Sequence, residues 1–165
     1  MFKIKHFNEL TSNELYEICK SRYEVFACEQ KIISENDFDD IDKDCYHIFK
    51  TEDNKIISYA RIIPKQFSPY ENTSIGRVLV LKEYRGKKIA KEMMDIAIRF
   101  IINNLNEKYI TLSAQEYIKN LYLSCGFKEV SDIYYEAGIP HIKMIFENIG
   151  KWCAMSLYKL SNNLK

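Results

Sequence analysis

The feature that most constrains this chain is a strand, a basic turn and a helix that follow one another between residues 78 and 91. The apolar run at 78–81 predicts a buried strand, and apolar residues from 89 onward recur at helical spacing. The turn and the first helical residues contain one acid, Glu83, and five bases, namely Lys82, Arg85, Lys87, Lys88 and Lys91. A helix N-terminus carries partial positive charge that disfavours cations, so this arrangement predicts a bound phosphate or pyrophosphate. A solvated basic turn without a ligand is the alternative.

Strand and helix patterns alternate along the rest of the chain. Strands are predicted at 2–7, 46–50, 56–64, 74–81, 108–113, 127–135 and 141–146. Helices are predicted from Thr11, which forms a capping box with Glu14, and at 86–103, 116–124 and 148–164. This order predicts an α/β fold with a mixed sheet. We expect one domain over residues 1–146 and a helical tail over 147–165, which either packs on that domain or covers a neighbouring subunit in a homodimer.

Composition excludes several classes of protein. The chain has 165 residues, enough for one domain, and a formal net charge of +1, which gives no bulk attraction to nucleic acid or membranes. The five cysteines are odd in number and form no CxxC pair, so we expect neither a disulfide framework nor a metal site. The sequence has no signal peptide core and no apolar run long enough to cross a membrane, which favours a cytoplasmic location.

Two segments carry a resemblance to a known family. The chain has no GxxxxGK[ST] P-loop and no GxGxxG dinucleotide motif. Residues 85–90, RGKKIA, resemble motif A of the GNAT acyltransferases, [Q/R]xxGx[G/A], with Lys88 in place of a glycine. Residues 122–127, YLSCGF, resemble the YxxxGF ending of motif B, and a predicted strand separates the two motifs.

Further segments resemble the ElaA-like branch of GNAT N-acetyltransferases. They read approximately RxxVFxxEQ, IGRV, AQ and GIPHIxM, and they stand at 22–30, 75–78, 114–115 and 138–144. The resemblance implies a GNAT-like fold, with a mostly antiparallel central sheet, a splayed parallel strand pair and flanking helices. The splayed pair would be the strands at 74–81 and 108–113.

The resemblance also implies an activity. The protein would transfer an acetyl group from acetyl-CoA directly to a primary amine of a small molecule or peptide, without a metal. The residues implied to hold acetyl-CoA are Val78, Leu79, Val80, Arg85, Gly86, Lys87, Lys88, Ile89, Ala90, Gln115 and Tyr122. Tyr122 would also protonate the leaving thiolate.

The base that deprotonates the amine stays unassigned, because the strand at 74–81 has no carboxylate. The candidates are His141, Glu136, Glu29 and His47. His141 would face the acceptor amine, where an imidazole can exchange protons near neutral pH. The alternative for this residue is a histidine at a strand end, held by a backbone hydrogen bond.

Four residues are expected at the acceptor side, namely Arg22, Glu29, Arg61 and Glu136. The two arginines either bind a substrate carboxylate or pair with the acids of the loop at 34–44. Those acids in turn either attract a cationic acceptor or are simply solvated.

Two other functions stay open. The Arg22, Val25-Phe26 and 37–42 pattern has a superficial similarity to acyl-homoserine-lactone synthases, which share a GNAT-like fold. The absence of an obvious base also fits a non-catalytic module that binds acyl-CoA.

Overall fold

The computed structural model describes residues 1–150. Most of the helical tail predicted from the sequence falls at residues 151–165 and therefore lies outside the described residues. The helices are α1 (Ser12–Arg22), α2 (Ile89–Asn104) and α3 (Lys119–Ser124). The strands are β1 (Phe2–His6), β2 (Tyr46–Glu52), β3 (Lys55–Ile63), β4 (Thr73–Val80), β5 (Tyr109–Gln115), β6 (Lys128–Glu129), β7 (Tyr134–Glu136) and β8 (Ile139–Glu147).

The described strands form one mixed sheet. Its order is β1-β2-β3-β4-β5-β8-β6, and β7 pairs with β8 beside this path. All neighbouring strands are antiparallel except β4 and β5, which are parallel. This architecture confirms the fold class predicted from the sequence.

Helix α2 covers one face of the sheet. Met93, Ala97 and Ile101 lie four residues apart, so they share one side of the helix, and all three are fully buried. They belong to the same core cluster as Leu112 on β5 and Met144 on β8. This packing fixes the start of α2 beside the end of β4.

Helix α1 covers the opposite face and begins as the sequence predicts. Thr11 accepts a hydrogen bond from the Glu14 amide at 3.2 Å, and the Glu14 carboxylate accepts one from the Thr11 amide at 3.0 Å, which is a capping box. Ile18 of α1 packs in a second core cluster with Phe49 and Tyr59.

Four elements differ from the sequence prediction by more than a shift of one or two residues at an end. Helix α1 continues into a π-helical segment, Tyr23–Glu29, whose turns close from the Gln30 amide to the Val25 carbonyl at 2.9 Å. Helix α2 starts at Ile89 rather than at residue 86. A 3₁₀ turn takes up the first part of the helix predicted at 116–124. The strand predicted at 127–135 is broken into β6 and β7.

The parallel strands β4 and β5 separate soon after they meet. Their pairing consists of Thr73 with Ile110 and Ser74 with Thr111. Farther along β4, a bulge shifts its register against β3 near Arg77, which has a positive φ of 54°. A bulge bends a strand and increases its twist, so β4 turns away from β5 and leaves a V-shaped opening.

Candidate active site

An open cleft of about 810 Å³ occupies the divergence of β4 and β5. Its walls include β4, the start of α2, the ends of β5 and β8, and the segment after α1. On the α2 side it reaches Gly86, Lys88 and Ala90, and on the β5–β8 side it reaches Glu136 and His141. The volume is in the range of small-molecule and cofactor sites.

The start of α2 brings unpaired backbone amides to this cleft. The first hydrogen bond of the helix runs from the Glu92 amide to the Lys88 carbonyl at 3.1 Å. The amides of Ile89, Ala90 and Lys91 precede that bond and have no acceptor within the helix. All three residues line the cleft, and Lys88 provides no side-chain cap. A helix end of this kind fits a phosphate or pyrophosphate group.

The backbone before α2 explains the glycine of motif A. Lys88 has φ 60° and ψ 13°, and Gly86 has φ 77°. Both values lie in the left-handed region, which glycine adopts without strain. A side-chain carbon built on Gly86 would have no other atom within 4 Å, so its backbone is open to approach. Lys88 therefore holds a strained conformation where the family motif has glycine.

The basic side chains near the start of α2 differ in whether a carboxylate already pairs with them. Arg85 donates to both Glu29 oxygens at 2.6 and 2.8 Å, and its Nε donates to the Val80 carbonyl at 2.9 Å. The hydrogen bond from Arg85 lowers the pKa of Glu29. Lys91 pairs with Asp95 at 2.5 Å. Lys88 lines the cleft and has no ion-pair partner within residues 1–150.

The β5–β8 wall follows from the alternation of side chains along each strand. Ala114 of β5 and Ile142 of β8 are buried in the core against α2. Their neighbours Ser113, Gln115 and His141 point to the other face, because successive side chains alternate, and they line the cleft. The sequence pattern alone therefore separates the core residues of these strands from the cleft residues.

His141 and Glu136 lie side by side on this wall. The His141 Nδ1 lies 2.8 Å from the Ile139 carbonyl, which can only accept, so Nδ1 carries the proton in that bond. The other ring nitrogen, Nε2, is then the basic one in the neutral ring, and it lies 3.7 Å from a Glu136 oxygen. Ser113 donates to the same carboxylate at 3.0 Å. The backbone bond considered for His141 is present, and it orients a free nitrogen towards the cleft.

Three hydroxyl groups surround this pair. Ser113 Oγ is 2.6 Å from the Tyr134 hydroxyl, and Tyr70 contacts both groups. Burial raises the pKa of Tyr70 to about 12 and also raises the pKa of Tyr134. Both phenols therefore stay protonated at neutral pH. They place neutral polar groups beside His141 and Glu136.

The segment after α1 bridges both walls. Glu29 holds Arg85 beside β4, and the next residue, Gln30, exchanges two amide hydrogen bonds with Gln115 at 3.1 and 3.5 Å. The π-helical turn thus places consecutive side chains on opposite sides of the opening. Gln30 is not among the site residues predicted from the sequence.

Tyr122 lies in α3 with its ring packed edge-on against Phe127 at 6.2 Å between centroids. The residue is 3% exposed and lines the cleft. Burial raises the pKa of its phenol well above the usual range, so the proton is held at neutral pH. The hydroxyl has no hydrogen-bond partner in the described part of the chain.

The acidic loop folds back onto arginines. Arg22 is fully buried and donates to Asp37 and to Asp42 at 2.9 Å. Arg61 donates to Asp39 at 2.5 and 3.1 Å and to Asp42 at 2.6 Å. Of the two roles left open for these arginines, the structure shows pairing with the loop. The loop acids concerned are likewise engaged rather than solvated.

The predicted site residues divide by position. The cleft is lined by Val78, Leu79, Val80, Arg61, Arg85, Gly86, Lys88, Ile89, Ala90, Gln115, Tyr122, Glu136 and His141. Lys87 has its ammonium over the Tyr84 ring, 5.1 Å from the centroid, and does not line the cleft. Arg22 and His47 border a separate cavity, and Glu29 touches the site through Arg85.

His47 is buried away from the cleft and both of its ring nitrogens are engaged. Nδ1 lies 2.8 Å from the Tyr59 hydroxyl and Nε2 lies 3.0 Å from the Asp42 carbonyl. Burial lowers its pKa to about 4. His47, one of the candidates for the base, is therefore held in the protein interior and does not face the cleft.

Residues 1–150 contain neither a candidate metal site nor a membrane-spanning helix. No group of His, Cys, Asp and Glu side chains there could hold a metal ion. No helix of this part is long and apolar enough to cross a membrane.

Comparison with known proteins agrees with this fold. Residues 8–148 match the family model of the acetyltransferase (GNAT) domain. Protein ElaA of Escherichia coli is 35% identical over 145 residues, covering 87% of this chain and 94% of ElaA. Its crystal structure superposes with a TM-score of 0.81 at 32% identity and covers 89% of this chain and 99% of that one.

Two further structures extend the comparison. An acyl-CoA N-acyltransferase from Pseudomonas aeruginosa has a TM-score of 0.80 at 30% identity, over 88% of this chain and 99% of that chain. The acyl-homoserine lactone synthase BjaI has a TM-score of 0.78 at 11% identity, over 96% of this chain and 88% of that chain, which is a likeness of fold alone. The chain therefore belongs to the acetyltransferase (GNAT) domain family, with ElaA among its relatives.

Proposed function

We propose that this protein transfers an acetyl group from acetyl-CoA directly to a primary amine. One observation carries the proposal: the divergence of β4 and β5 joins an anion-binding helix start to a wall that holds a histidine with one free nitrogen. An acyltransferase of this kind needs both parts in one opening, because the cofactor is anionic and the reacting amine must lose a proton.

The α2 side would hold the cofactor. The amides of Ile89, Ala90 and Lys91 would receive the pyrophosphate, and Lys88, which has no ion-pair partner in the described part of the chain, would add a positive charge. The edge of β4 that faces β5 has no strand partner beyond Ser74 among residues 1–150, so its backbone groups would pair with the pantetheine arm.

His141 would accept the proton of the acceptor ammonium. Its Nδ1 is held by the Ile139 carbonyl, so Nε2 can take a proton, and the neighbouring Glu136 would stabilise the imidazolium that results. The neutral amine then attacks the thioester carbon. A positioned base of this type contributes roughly 10²- to 10⁴-fold to rate.

Tyr122 would complete the transfer. As the new carbon–nitrogen bond forms and the carbon–sulfur bond breaks, the phenol would donate its proton to the sulfur. The second proton lost by the nitrogen returns the phenol to its protonated form. The overall reaction converts ammonium and thioester into amide, thiol and one released proton.

Thermal unfolding with and without acetyl-CoA tests the cofactor. Ligand at roughly 100 times its Kd should stabilise the protein by about 2.7 kcal/mol. At roughly 2–4 °C per kcal/mol for this size, the shift in Tm should be several degrees. S-adenosylmethionine is the comparison ligand, and a shift with it would instead favour a lactone-synthase-like reaction.

Release of free CoA thiol in the presence of amines tests catalysis. We expect thiol release that depends on both acetyl-CoA and amine. A thermal shift with acetyl-CoA but no thiol release from any amine would contradict the proposal and favour a non-catalytic acyl-CoA-binding module.

A further inference from the structure

We infer that the acceptor is a small cationic amine with no carboxylate on the carbon that bears the amino group, rather than an amino acid. This inference rests on the proposed acyl transfer and concerns the charge of the β5–β8 side of the cleft. The groups on this wall can pair with an ammonium but not with a carboxylate, and this restricts the class of acceptor.

An amino-acid acceptor would need a free cation for its carboxylate. Three arginines line the cleft, Arg61, Arg77 and Arg85, and Arg85 is paired with Glu29. Arg61 contacts Asp39 and Asp42, and Arg77 lies 2.6 Å from Asp37. Each guanidinium therefore already faces a carboxylate of this chain.

One nitrogen of Arg61, Nε, makes none of these contacts, but it is not accessible to a ligand. This nitrogen has no hydrogen-bond partner within the described residues and is buried. The whole residue is 4% exposed. A substrate carboxylate could reach this group only by breaking the pairs with Asp39 and Asp42.

The lysines do not supply the missing charge either. Lys143, two residues after His141 on β8, has its ammonium over the Tyr70 ring, 5.3 Å from the centroid, and does not line the cleft. Lys88 and Lys91 line the α2 side, where the anionic cofactor is expected.

The carboxylate of Glu136 has the opposite character. Its side chain is 46% exposed, it lines the cleft, and it has no Lys or Arg partner within residues 1–150. The Ser113 hydroxyl donates to it at 3.0 Å, which fixes its position beside the His141 Nε2. An ammonium between these two groups would pair with the carboxylate and be within reach of the base.

A carboxylate one carbon away from that ammonium would approach Glu136 as well. Like charges at such separations repel, and every arginine that lines the cleft within residues 1–150 already faces a carboxylate of this chain. The wall therefore favours amines over the corresponding amino acids. A second carboxylate that lines the cleft, Glu35, is exposed and adds to the same preference.

Matched acceptor pairs test this inference. Tyramine and tyrosine, histamine and histidine, and isopentylamine and leucine each differ only by the carboxylate and each carry one primary amino group. With acetyl-CoA and purified full-length protein, we expect kcat/KM to be at least about ten-fold higher for the amine in each pair that reacts.

Each outcome decides the inference. Equal or faster acetylation of the amino acids overturns it and leaves the acyltransferase function intact. Acetylation of no acceptor overturns it too, and the thermal shift with acetyl-CoA then shows separately whether the cofactor site stands.

The Glu136→Gln variant tests whether Glu136 causes the preference for amines over amino acids. We expect the amine-to-amino-acid ratio of kcat/KM to fall by about ten-fold towards one, while Tm with and without acetyl-CoA stays as in the parent protein. If Glu136 acts only through His141, both members of a pair lose activity equally and the ratio is unchanged, which overturns the acceptor role. Glu52→Gln, an exposed carboxylate at the far end of β2, is the matched control and should change neither.

Discussion

Lys88 holds a left-handed backbone at the start of α2, and replacing it by glycine separates the strain of this position from its charge. Its φ is 60° and its ψ 13°, a conformation that costs a residue with a side chain about 1–2 kcal/mol. Glycine avoids this cost but loses about 0.4–1 kcal/mol through the greater freedom of the unfolded chain. The Lys88→Gly variant should therefore be more stable by about 0.5–1 kcal/mol, which corresponds to roughly 1–4 °C in Tm for a domain of this size.

The same change should weaken the cofactor site. Lys88 lines the cleft without an ion-pair partner in the described part of the chain, so Lys88→Gly removes a cation beside the expected pyrophosphate. A surface charge of this kind contributes about 0.2–1 kcal/mol, which predicts a Kd for acetyl-CoA raised by about 1.4- to five-fold. Differential scanning fluorimetry and isothermal titration calorimetry measure the two effects on the same sample.

Lys87→Gly is the control for both effects. Lys87 is absent from the residues with positive φ, and its ammonium stacks on Tyr84. Glycine at such a position should lower the Tm, because only the unfolded chain gains. If Lys88→Gly proves no more stable than Lys87→Gly, the assignment of backbone strain to Lys88 is refuted.

Three further predictions concern other parts of the molecule. Tyr122→Phe should lower kcat by about 10²-fold, most clearly at high pH, and leave the Kd for acetyl-CoA nearly unchanged; an unchanged kcat would remove Tyr122 as the acid. Asp42→Asn should cost about 3–5 kcal/mol in urea denaturation, because Arg22 and Arg61 would be left buried with less compensating charge; a loss below 1 kcal/mol would show that the loop can rearrange. His47 has a folded pKa of about 4, below the unfolded value near 6.5, so its contribution to stability is present above pH 6.5 and is lost as the pH falls towards 4. The loss should approach about 3 kcal/mol, and His47→Gln should flatten the urea midpoint between pH 6.5 and 4.5; parallel profiles for the two proteins would contradict this reasoning.

Local signals in the sequence predict much of this structure. The Thr11–Glu14 capping box forms as expected because its partners are three residues apart. The turn signal at residues 52–54 becomes the tight connection between β2 and β3, with positive φ at Asp53 and Asn54. The motif at 85–90 places the start of α2 at the cleft because the motif itself contains the turn.

Features that depend on distant partners could not be read in the same way. The pairing of Arg22 with Asp37 and Asp42 spans 15 and 20 residues, and the sequence gives no reason to prefer it over binding of a substrate. Ser113 and Tyr134 meet only because β5, β8 and β7 are adjacent. Period-two alternation on β5 indicates which face carries these side chains, but not what they contact.

The strand predicted at 127–135 is split into β6 and β7 for another physical reason. Lys128 and Glu129 pair with one stretch of β8, and Tyr134 to Glu136 pair with another. The intervening Ser131 hydroxyl instead accepts a hydrogen bond from the Lys143 amide at 2.9 Å. A side chain thus replaces a backbone partner, which apolar patterning cannot reveal.

The π-helical turn after α1 makes the winding of this segment as important as its composition. An α-helix advances about 100° per residue, whereas a helix closed by hydrogen bonds five residues apart advances by less, so ordinary winding over the same residues, Tyr23–Glu29, would turn the side chains that follow in a different direction. Glu29 and Gln30 would then both lose their bridges, although neither had been replaced. A substitution in this turn that restored ordinary winding, at a distance from the helix start and from His141, would uncover the opening between β4 and β5.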